Sequence, residues 1–179
     1  ETDALTAYRK MPLAVVLPKT TEEVSAVLKY CHDTGVKVVP RGAGTSLAGG
    51  AIPSEDAVVL GLSKMNRVLA VNYDDRFIRV EAGVTNLSVT AVVAENGFFY
   101  APDPSSQLAC TIGGNIANNS GGAHCLKYGV TTNNLLGVRM VLIDGSIIDL
   151  GGDYLDSAGL DRLGLGVGIV AEMAVKDDP

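Results

Sequence analysis

The sequence has 179 residues, of which 47% are hydrophobic and 19% are charged, and its formal net charge at pH 7 is −6. A chain of this length and apolar content can bury the core of one large domain or two small lobes, which excludes an intrinsically disordered protein. The acidic excess argues against a nucleic-acid-binding protein, and no apolar run approaches the ~18 residues of a membrane span or the pattern of a signal peptide.

The first elements predicted are a strand, a helix and a second strand. Residues 13–17 form a continuous apolar run, which predicts a buried strand. Thr20 and Glu23 have the spacing of a capping box at a helix start. The apolar residues behind them fall at i, i+3, i+4 and i+7, one face of a helix: Val24, Val27, Leu28 and Cys31. This helix is expected to end near Gly35, and residues 36–39 predict the next strand.

A glycine-rich segment follows this strand at residues 40–51, PRGAGTSLAGGA, which we call the first glycine loop. Glycines leave backbone N–H groups accessible and permit the positive φ angles that turn successive N–H groups to one side. Thr45 and Ser46 add hydroxyl donors, and Arg41 adds a guanidinium. These groups suit a diphosphate, although neither the P-loop nor the Rossmann fingerprint is matched. The alternatives are a plain tight turn and, for Arg41, a surface charge.

Strands, a hairpin and a helix are predicted in the middle of the chain. The strands are expected at residues 58–62, 67–71 and 77–81, and the turn-rich residues 72–75 join the last two as a hairpin. Thr85 can cap a second helix that ends near Gly97. Its apolar face is expected to comprise Leu87, Ala91 and Ala94.

A second glycine-rich segment lies in a long irregular region. Residues 100–129 are polar and without a long periodic pattern, and irregular stretches of this length are usually functional. Within them, residues 111–122, TIGGNIANNSGG, form what we call the second glycine loop, with amide side chains at Asn115, Asn118 and Asn119. Two anion-binding loops in one domain suggest a dinucleotide between them. The alternative is that these asparagines only cap turns.

The C-terminal part predicts a hairpin and a final strand. Residues 138–143 and 147–150 flank Asp144-Gly145, a dipeptide typical of a type I′ turn, and residues 168–175 predict the last strand. Helices mixed with hairpins favour an α+β fold over a doubly wound sheet.

Three segments, in this order, resemble one known family: PRGAGTSL at residues 40–47, PDPSS at 102–106 and the second glycine loop. They are similar to the FAD-binding domain of the vanillyl-alcohol oxidase / p-cresol methylhydroxylase superfamily, and most of all to its glycolate oxidase flavin subunit and D-lactate dehydrogenase group. Residues 13–24 are similar to the opening strand and helix of that group. The resemblance implies a two-lobed α+β FAD-binding domain over residues 1–179, with lobe one at about 1–62, lobe two at about 63–179 and the flavin between them.

The resemblance also implies the residues that hold the cofactor. The first glycine loop would hold the diphosphate through Pro40, Arg41, Gly42, Ala43, Gly44, Thr45, Ser46, Leu47 and Gly50. The second side, nearer the isoalloxazine, would comprise Pro104, Ser105, Thr111, Gly113, Gly114, Asn115, Asn118, Gly121, Gly122, Tyr128 and Gly129. Gly168, Ile169 and Val170 would close the adenine side. Tyr128 has the alternative role of covering the interface between the lobes.

Two residues bear on how the FAD is attached. Relatives that tether FAD through the first loop use a histidine where this chain has Thr45, so the FAD is expected to be non-covalent. Cys110 adjoins the second glycine loop. It is either a small buried cysteine or a residue that forms a thioether bond to the flavin.

The chain departs from the family pattern near its end. The family usually has Gly-Ser-Glu-Gly-Thr-Leu before a Gly-Ile-Val, whereas this sequence reads RLGLGVG at residues 162–168, which puts flavin contacts from that segment in doubt. The C-terminal cap domain, which supplies the substrate-binding arginine, histidines and sometimes a metal site, is absent from the sequence. His32 is expected to face solvent at a helix end, and His124 is either flavin-side or a plain loop residue. No catalytic base and no metal site is therefore assigned.

The function implied is that of the FAD-binding part of a 2-hydroxy-acid dehydrogenase or oxidase of the glycolate or D-lactate type. In this family a hydride passes from the substrate Cα to flavin N5 while a base takes the hydroxyl proton, and this chain alone is expected to be inactive. One alternative is a non-catalytic flavin- or nucleotide-binding module of a larger complex, and another is a flavin reductase of cell-wall sugar synthesis.

The expected partners are a small 2-hydroxy acid, bound through the cap domain, and electron-transfer subunits, with no nucleic acid and no transmembrane segment. Cys31, Cys110 and Cys125 lack metal-ligand spacing and are interpreted as reduced thiols. The expected location is therefore the cytoplasm, or the membrane surface through partner subunits.

Overall fold

A small parallel sheet is built from the N-terminal third of the chain. The computed structural model describes residues 1–151 and 166–177. Strands β1 (Ala14–Val16), β2 (Lys37–Arg41) and β3 (Ala57–Gly61) form a parallel sheet in the order β1-β3-β2. The predicted burial of residues 13–17 is wrong: Leu13, Val15 and Leu17 are 63%, 49% and 46% exposed. The reason is that β1 is an edge strand, with β3 as its one neighbour in the sheet.

Helix α1 (Thr21–Thr34) confirms the predicted cap, buried face and end. The Thr20 hydroxyl accepts a hydrogen bond from the Glu23 N–H at 3.2 Å, and Val24, Leu28 and Cys31 are buried. The Glu23 carboxylate bonds the N–H of Lys19 at 2.6 Å, so the second arm of the capping box reaches one residue earlier than the usual pattern. Gly35 ends the helix with φ 69°, and β2 then leads into the first glycine loop.

An antiparallel sheet forms the larger part of the molecule. The remaining strands are β4 (Val68–Asn72), β5 (Phe77–Glu81), β6 (Phe98–Phe99), β7 (Leu135–Leu142), β8 (Ile147–Gly151), β9 (Gly166–Ala174) and β10 (Lys176–Asp177). Five of them pair in the order β4-β5-β9-β7-β8, so both predicted hairpins form and β9 lies in the centre. The short antiparallel pair β6–β10 was not expected from the sequence.

The turn between β7 and β8 differs from the predicted type I′. Gly145 has φ 85° but Asp144 has a negative φ, whereas type I′ requires positive φ at both central residues. The Gly145 N–H donates to the Leu142 carbonyl at 3.0 Å, and the Ser25 hydroxyl of α1 donates to the Gly145 carbonyl at 2.6 Å. The turn therefore contacts α1 through the Ser25 hydroxyl, and its backbone conformation is not that of a type I′ turn.

Two short helices, α2 (Asn86–Val93) and α3 (Ile112–Ala117), pack against the larger sheet. A third, α4 (Cys125–Tyr128), has no buried residue, and 3-10 turns lie at Ala94–Asn96 and Thr131–Asn134. Thr85 caps α2 as predicted, but the predicted apolar face is wrong, because Asn86, Val89 and Val93 are buried and Leu87 is 40% exposed. Apolar residues lie on several sides of α2, so their spacing does not mark one face. The buried Asn86 amide is satisfied by the Pro102 carbonyl at 3.0 Å.

One hydrophobic cluster joins the two sheets. It contains Val24 and Leu28 of α1, Leu60 of β3, Val141 of β7 and Ile169 of β9. A second cluster lies under α2 and α3 and includes Ile78, Val89, Ile112 and Met173. Helices and strands thus share one α+β arrangement, as predicted, and the two sheets meet along α1.

Candidate functional site

The two glycine loops form opposite walls of one cleft. The cleft has a volume of about 400 Å³, and its floor is made by Leu62, Ala82, Val167 and Gly168. The walls come closest where Gly42 of the first loop faces Thr111 of the second. A Cβ atom added at Gly42 would lie 2.5 Å from Thr111 Oγ1, so this approach requires glycine.

The first glycine loop presents unpaired backbone donors to the cleft. Within the part of the chain that the structure describes, the N–H groups of residues 42–47 donate no hydrogen bond. Gly44 adopts φ 71°, a conformation that residues with a Cβ atom rarely take. A run of N–H groups without acceptors is the arrangement that binds anions such as phosphate.

Arg41 lies beneath this loop and is held by protein oxygens. Its guanidinium donates to the carbonyls of Thr2 at 2.7 Å and Ala51 at 3.0 Å, and its Nε lies 3.3 Å from the Glu1 carboxylate. Its side chain is 16% exposed, so it is not a surface charge. The guanidinium is therefore fixed next to the loop by protein oxygens, and its charge is paired with that of Glu1.

The second wall contributes two buried polar groups without a partner. Thr111 precedes α3 and makes no side-chain capping bond, and its Oγ1 has no hydrogen-bond partner. Asn115 is 1% exposed, and its Nδ2 also lacks a partner. Such groups are rare in folded proteins because each costs the free energy of desolvation, and they are expected where a ligand binds. Asn118 differs, since its amide donates to the Gly114 carbonyl of its own helix at 2.9 Å, which is the turn-capping alternative.

Most of the predicted cofactor-binding residues lie together in the cleft wall. These are Pro40, Arg41, Gly42, Ala43, Gly44, Thr45, Ser46, Gly50, Thr111, Gly113, Gly114, Asn115, Asn118 and Gly168. The others lie outside the lining: Leu47, Pro104, Ser105, Gly121, Gly122, Tyr128, Gly129, Ile169 and Val170. Ile169 belongs to the core, and Val170 lines a separate depression with Arg79 and Glu172. Residues 162–165, where the sequence departs from the family pattern, lie outside the described residues.

Several residues of the cleft lining were not expected from the sequence. These are Ala48, Ala51, Leu62, Ala82, Ser106, Ala117, Ser120 and Val167. Ser106 carried a signal, because it shares a motif with Ser105, but the backbone turn decides which serine faces the cleft. Leu62 and Ala82 follow β3 and β5 and have no sequence feature that marks them. Cys110 also lines the cleft and is buried.

His124 and Asp103 are hydrogen-bonded to each other next to the second glycine loop but outside the cleft lining. His124 Nδ1 lies 2.6 Å from Asp103 Oδ2, and the His124 N–H donates to Asp103 Oδ1 at 3.1 Å. A Cβ atom at Gly122 would overlap the Asp103 main chain. The pair thus holds the end of the second loop against residues 102–106. His32 is exposed at the end of α1, as predicted.

Comparison with known proteins identifies the type of domain. The FAD binding domain family matches residues 12–151. The chain belongs to this family. It is 50% identical over 182 residues to glycolate oxidase subunit GlcD of Escherichia coli K12, covering 98% of this chain and 36% of that protein. It is 41% identical over 177 residues to the D-lactate dehydrogenase of Archaeoglobus fulgidus, covering 98% of this chain and 40% of that protein.

The fold of a solved relative agrees with this assignment. The structure of an alkyldihydroxyacetonephosphate synthase superposes with a TM-score of 0.79 at 25% identity, covering 91% of this chain and 31% of that one. The FAD-binding domain expected from the sequence is thereby confirmed. The chain spans well under half the length of each of these relatives.

FAD, the cofactor of this family, fits the residues of the cleft. The unpaired N–H groups of residues 42–47 match a diphosphate, and the two orphaned polar groups of the opposite wall match hydrogen-bonding atoms elsewhere on the cofactor. Within residues 1–151 and 166–177, no group of three His, Cys, Asp or Glu side chains is placed to hold a metal ion. None of the helices in these residues has the length and apolar character of a membrane span.

Proposed function

We propose that this chain is the FAD-binding domain of an oxidoreductase that acts on a 2-hydroxy acid such as glycolate or D-lactate. The observation that carries the proposal is the meeting of two glycine loops in one cleft with unpaired donors on both walls. The relatives named as a glycolate oxidase subunit and a D-lactate dehydrogenase support the substrate class.

The cleft residues divide the task of holding FAD. The N–H groups of residues 42–46, with the hydroxyls of Thr45 and Ser46, bind the diphosphate, because a run of backbone N–H groups can donate several hydrogen bonds to phosphate oxygens. Thr111 Oγ1 and Asn115 Nδ2 supply polar contacts from the opposite wall. Thr45 has no ring nitrogen to form a covalent link, so the FAD is dissociable. Bound FAD supplies a two-electron acceptor for the substrate's α-carbon hydride.

The proton of the substrate hydroxyl must be taken by a group outside this cleft. In the part of the chain that the structure describes, the cleft lining contains no histidine, aspartate or glutamate. A general base must lie within hydrogen-bond reach of its proton. We therefore propose that a substrate-binding domain outside residues 1–179 contributes the base and the carboxylate-binding groups.

Further features of the whole protein follow from this proposal. The parallel and antiparallel sheets correspond to lobe one and lobe two of the domain. Electron-transfer subunits are the proposed protein partners, since one relative is named as a subunit. The three cysteines are free thiols, which supports a cytoplasmic location, or one at the membrane surface through partner subunits.

The test is anaerobic reduction of bound FAD by 2-hydroxy acids. We expect glycolate or D-lactate to bleach the flavin absorbance of the protein encoded by the full reading frame, with D-lactate preferred over L-lactate. The same acids should leave the FAD of residues 1–179 oxidised, because orientation worth roughly 7–11 kcal/mol of the barrier is missing. Rapid bleaching of residues 1–179 alone would show that the base lies within them. Failure of every 2-hydroxy acid with the full protein would favour a non-catalytic flavin-binding module.

A further inference from the structure

The first four residues of the chain contact the underside of the first glycine loop, and we call them the N-terminal brace. Asp3 is 3% exposed, and its Oδ2 accepts a hydrogen bond from the Gly49 N–H at 3.0 Å. Its Oδ1 accepts from the Leu5 N–H, also at 3.0 Å, which fixes the carboxylate. The Ala4 N–H donates to the Ser46 carbonyl at 3.2 Å. A buried carboxylate and a backbone bond thus hold the loop at two points.

Arg41 links the brace to both ends of the loop. It is the last residue of β2, and its guanidinium bonds Ala51 at the far end of the loop and Thr2 in the brace. Gly44 rests directly on this guanidinium, because a Cβ atom there would overlap it. The loop therefore lies over an arginine that is fixed by the brace.

We propose that Asp3 and Arg41 are positioning residues of the cofactor site, and that the N-terminal brace holds the first glycine loop open before the ligand binds. This inference rests on the proposed function. The N–H groups of residues 42–47 donate no hydrogen bond, and within these residues and their neighbour Ala48 the loop's own contact is the bond from the Ala48 N–H to Ser46 Oγ at 3.2 Å, so its shape depends largely on the brace. If only a fraction of molecules has the binding conformation, the apparent dissociation constant rises by the inverse of that fraction. The brace keeps this fraction high.

The first test replaces the buried carboxylate of the brace. In Asp3→Asn the charge that fixes Gly49 is lost at almost constant volume. We expect the dissociation constant for FAD to rise about tenfold. This is the increase expected if the fraction of molecules in the binding conformation falls to about one tenth. Without FAD, hydrogen exchange should accelerate at the hydrogen-bonded amides of Ala4, Ala48 and Gly49, and not in the sheets. The control is Glu172→Gln, which also alters a buried carboxylate but lies away from the cleft, where Glu172 pairs with Arg79.

The second test separates a positioning arginine from a phosphate ligand. In Arg41→Lys a positive charge remains near the loop, but the planar fork that reaches Thr2 and Ala51 together is lost. We expect the same loss of affinity and the same faster exchange as in Asp3→Asn. Retention of wild-type affinity for FAD would overturn the proposal, because the positive charge of lysine would then be sufficient for FAD binding without the bonds to Thr2 and Ala51.

Other outcomes are also decisive. Unfolding of Asp3→Asn, with Glu172→Gln still folded, would overturn the proposal, because Asp3 would then stabilise the whole domain. If the wild-type chain fails to bind FAD, the proposed function fails. The exchange measurement on the ligand-free protein still tests the brace in that case, and unchanged exchange at the amides of Ala4, Ala48 and Gly49 would overturn it.

Discussion

Gly42 and Thr111 set the separation of the cleft walls. The two residues lie far apart in the sequence, yet a single methyl group at Gly42 would bring the walls into a 2.5 Å contact with Thr111 Oγ1. Thr111 Cβ would lie 3.8 Å from that methyl group, an ordinary contact distance. The clash therefore comes from one oxygen atom.

Removal of that oxygen should rescue a substitution at Gly42. We expect Gly42→Ala to weaken FAD binding about tenfold, because overpacking of a close contact costs roughly 1–3 kcal/mol. Thr111→Ala alone also loses a polar contact with FAD, so the double variant Gly42→Ala/Thr111→Ala should bind FAD more tightly than the sum of the two single losses predicts. Flavin fluorescence titration measures all four proteins. Additive losses in the double variant would show that the backbone, and not the hydroxyl, limits the approach.

Tyr100 makes the stability of the fold depend on alkaline pH. The residue is 3% exposed, and burial raises the pKa of its phenol. The phenol of the unfolded chain has a pKa of ~10. Because the pKa of the folded phenol is higher, the free energy of unfolding is independent of this group below pH ~10 and decreases above it.

We expect the free energy of unfolding of the wild type to fall as the pH rises above ~10, and to fall less steeply in Tyr100→Phe. Tyr30→Phe is the control, because Tyr30 is 67% exposed. Urea unfolding at a series of pH values measures the slopes. Identical slopes for the two variants would contradict a buried phenol.

At the scale of elements, the β7–β8 turn docks on α1. A Cβ atom at Gly145 would lie 2.8 Å from Lys29 Cβ and 2.9 Å from the Ser25 carbonyl oxygen. Gly97 has a similar φ, 76° against 85°, but nothing lies within 4 Å of its added Cβ. The two glycines share backbone strain and differ in the space around them.

This pair separates packing from backbone conformation. Gly145→Ala and Gly97→Ala should each lose roughly 1–2 kcal/mol of unfolding free energy to left-handed strain. Gly145→Ala should lose about 1–3 kcal/mol more, because α1 must move away. Urea unfolding measures the difference, and equal losses would mean that the turn is not docked on α1 in solution.

Features that depend on residues close together in the sequence could be predicted from it. Features that depend on tertiary contacts could not. The Thr20 cap, the face of α1 and the two hairpins depend on residues near one another in the chain. The exposure of β1 depends on its place at a sheet edge, which an apolar run does not reveal. The buried face of α2 depends on which side meets the larger sheet, and that includes a polar Asn86 held by Pro102.

The same distinction applies to the candidate site. The glycine loops could be recognised because their composition allows a backbone that other residues cannot adopt. The role of Arg41 could not, since Thr2, Glu1 and Ala51 come together only in the folded chain. The floor residues Leu62 and Ala82 likewise have ordinary sequence surroundings.

At the scale of the whole molecule, the cleft between two loops should select a dinucleotide. We expect purified protein to bind FAD much more tightly than FMN, because FMN cannot occupy the full cleft. Acid precipitation should release the flavin into the supernatant, because Thr45 cannot tether it. Equal affinity for FAD and FMN in fluorescence titration would contradict a dinucleotide site, and a yellow pellet would contradict non-covalent binding.

The central position of β9 matters for how the protein is made on the ribosome. This strand is the last of its sheet to be synthesised, yet it lies between β5 and β7. Until residue 174 has emerged, the two hairpins have open edges and no common partner, a situation that favours aggregation. Gly168 of β9 also belongs to the cleft floor. We therefore expect the flavin site of a nascent chain to be completed only after this strand has left the ribosome.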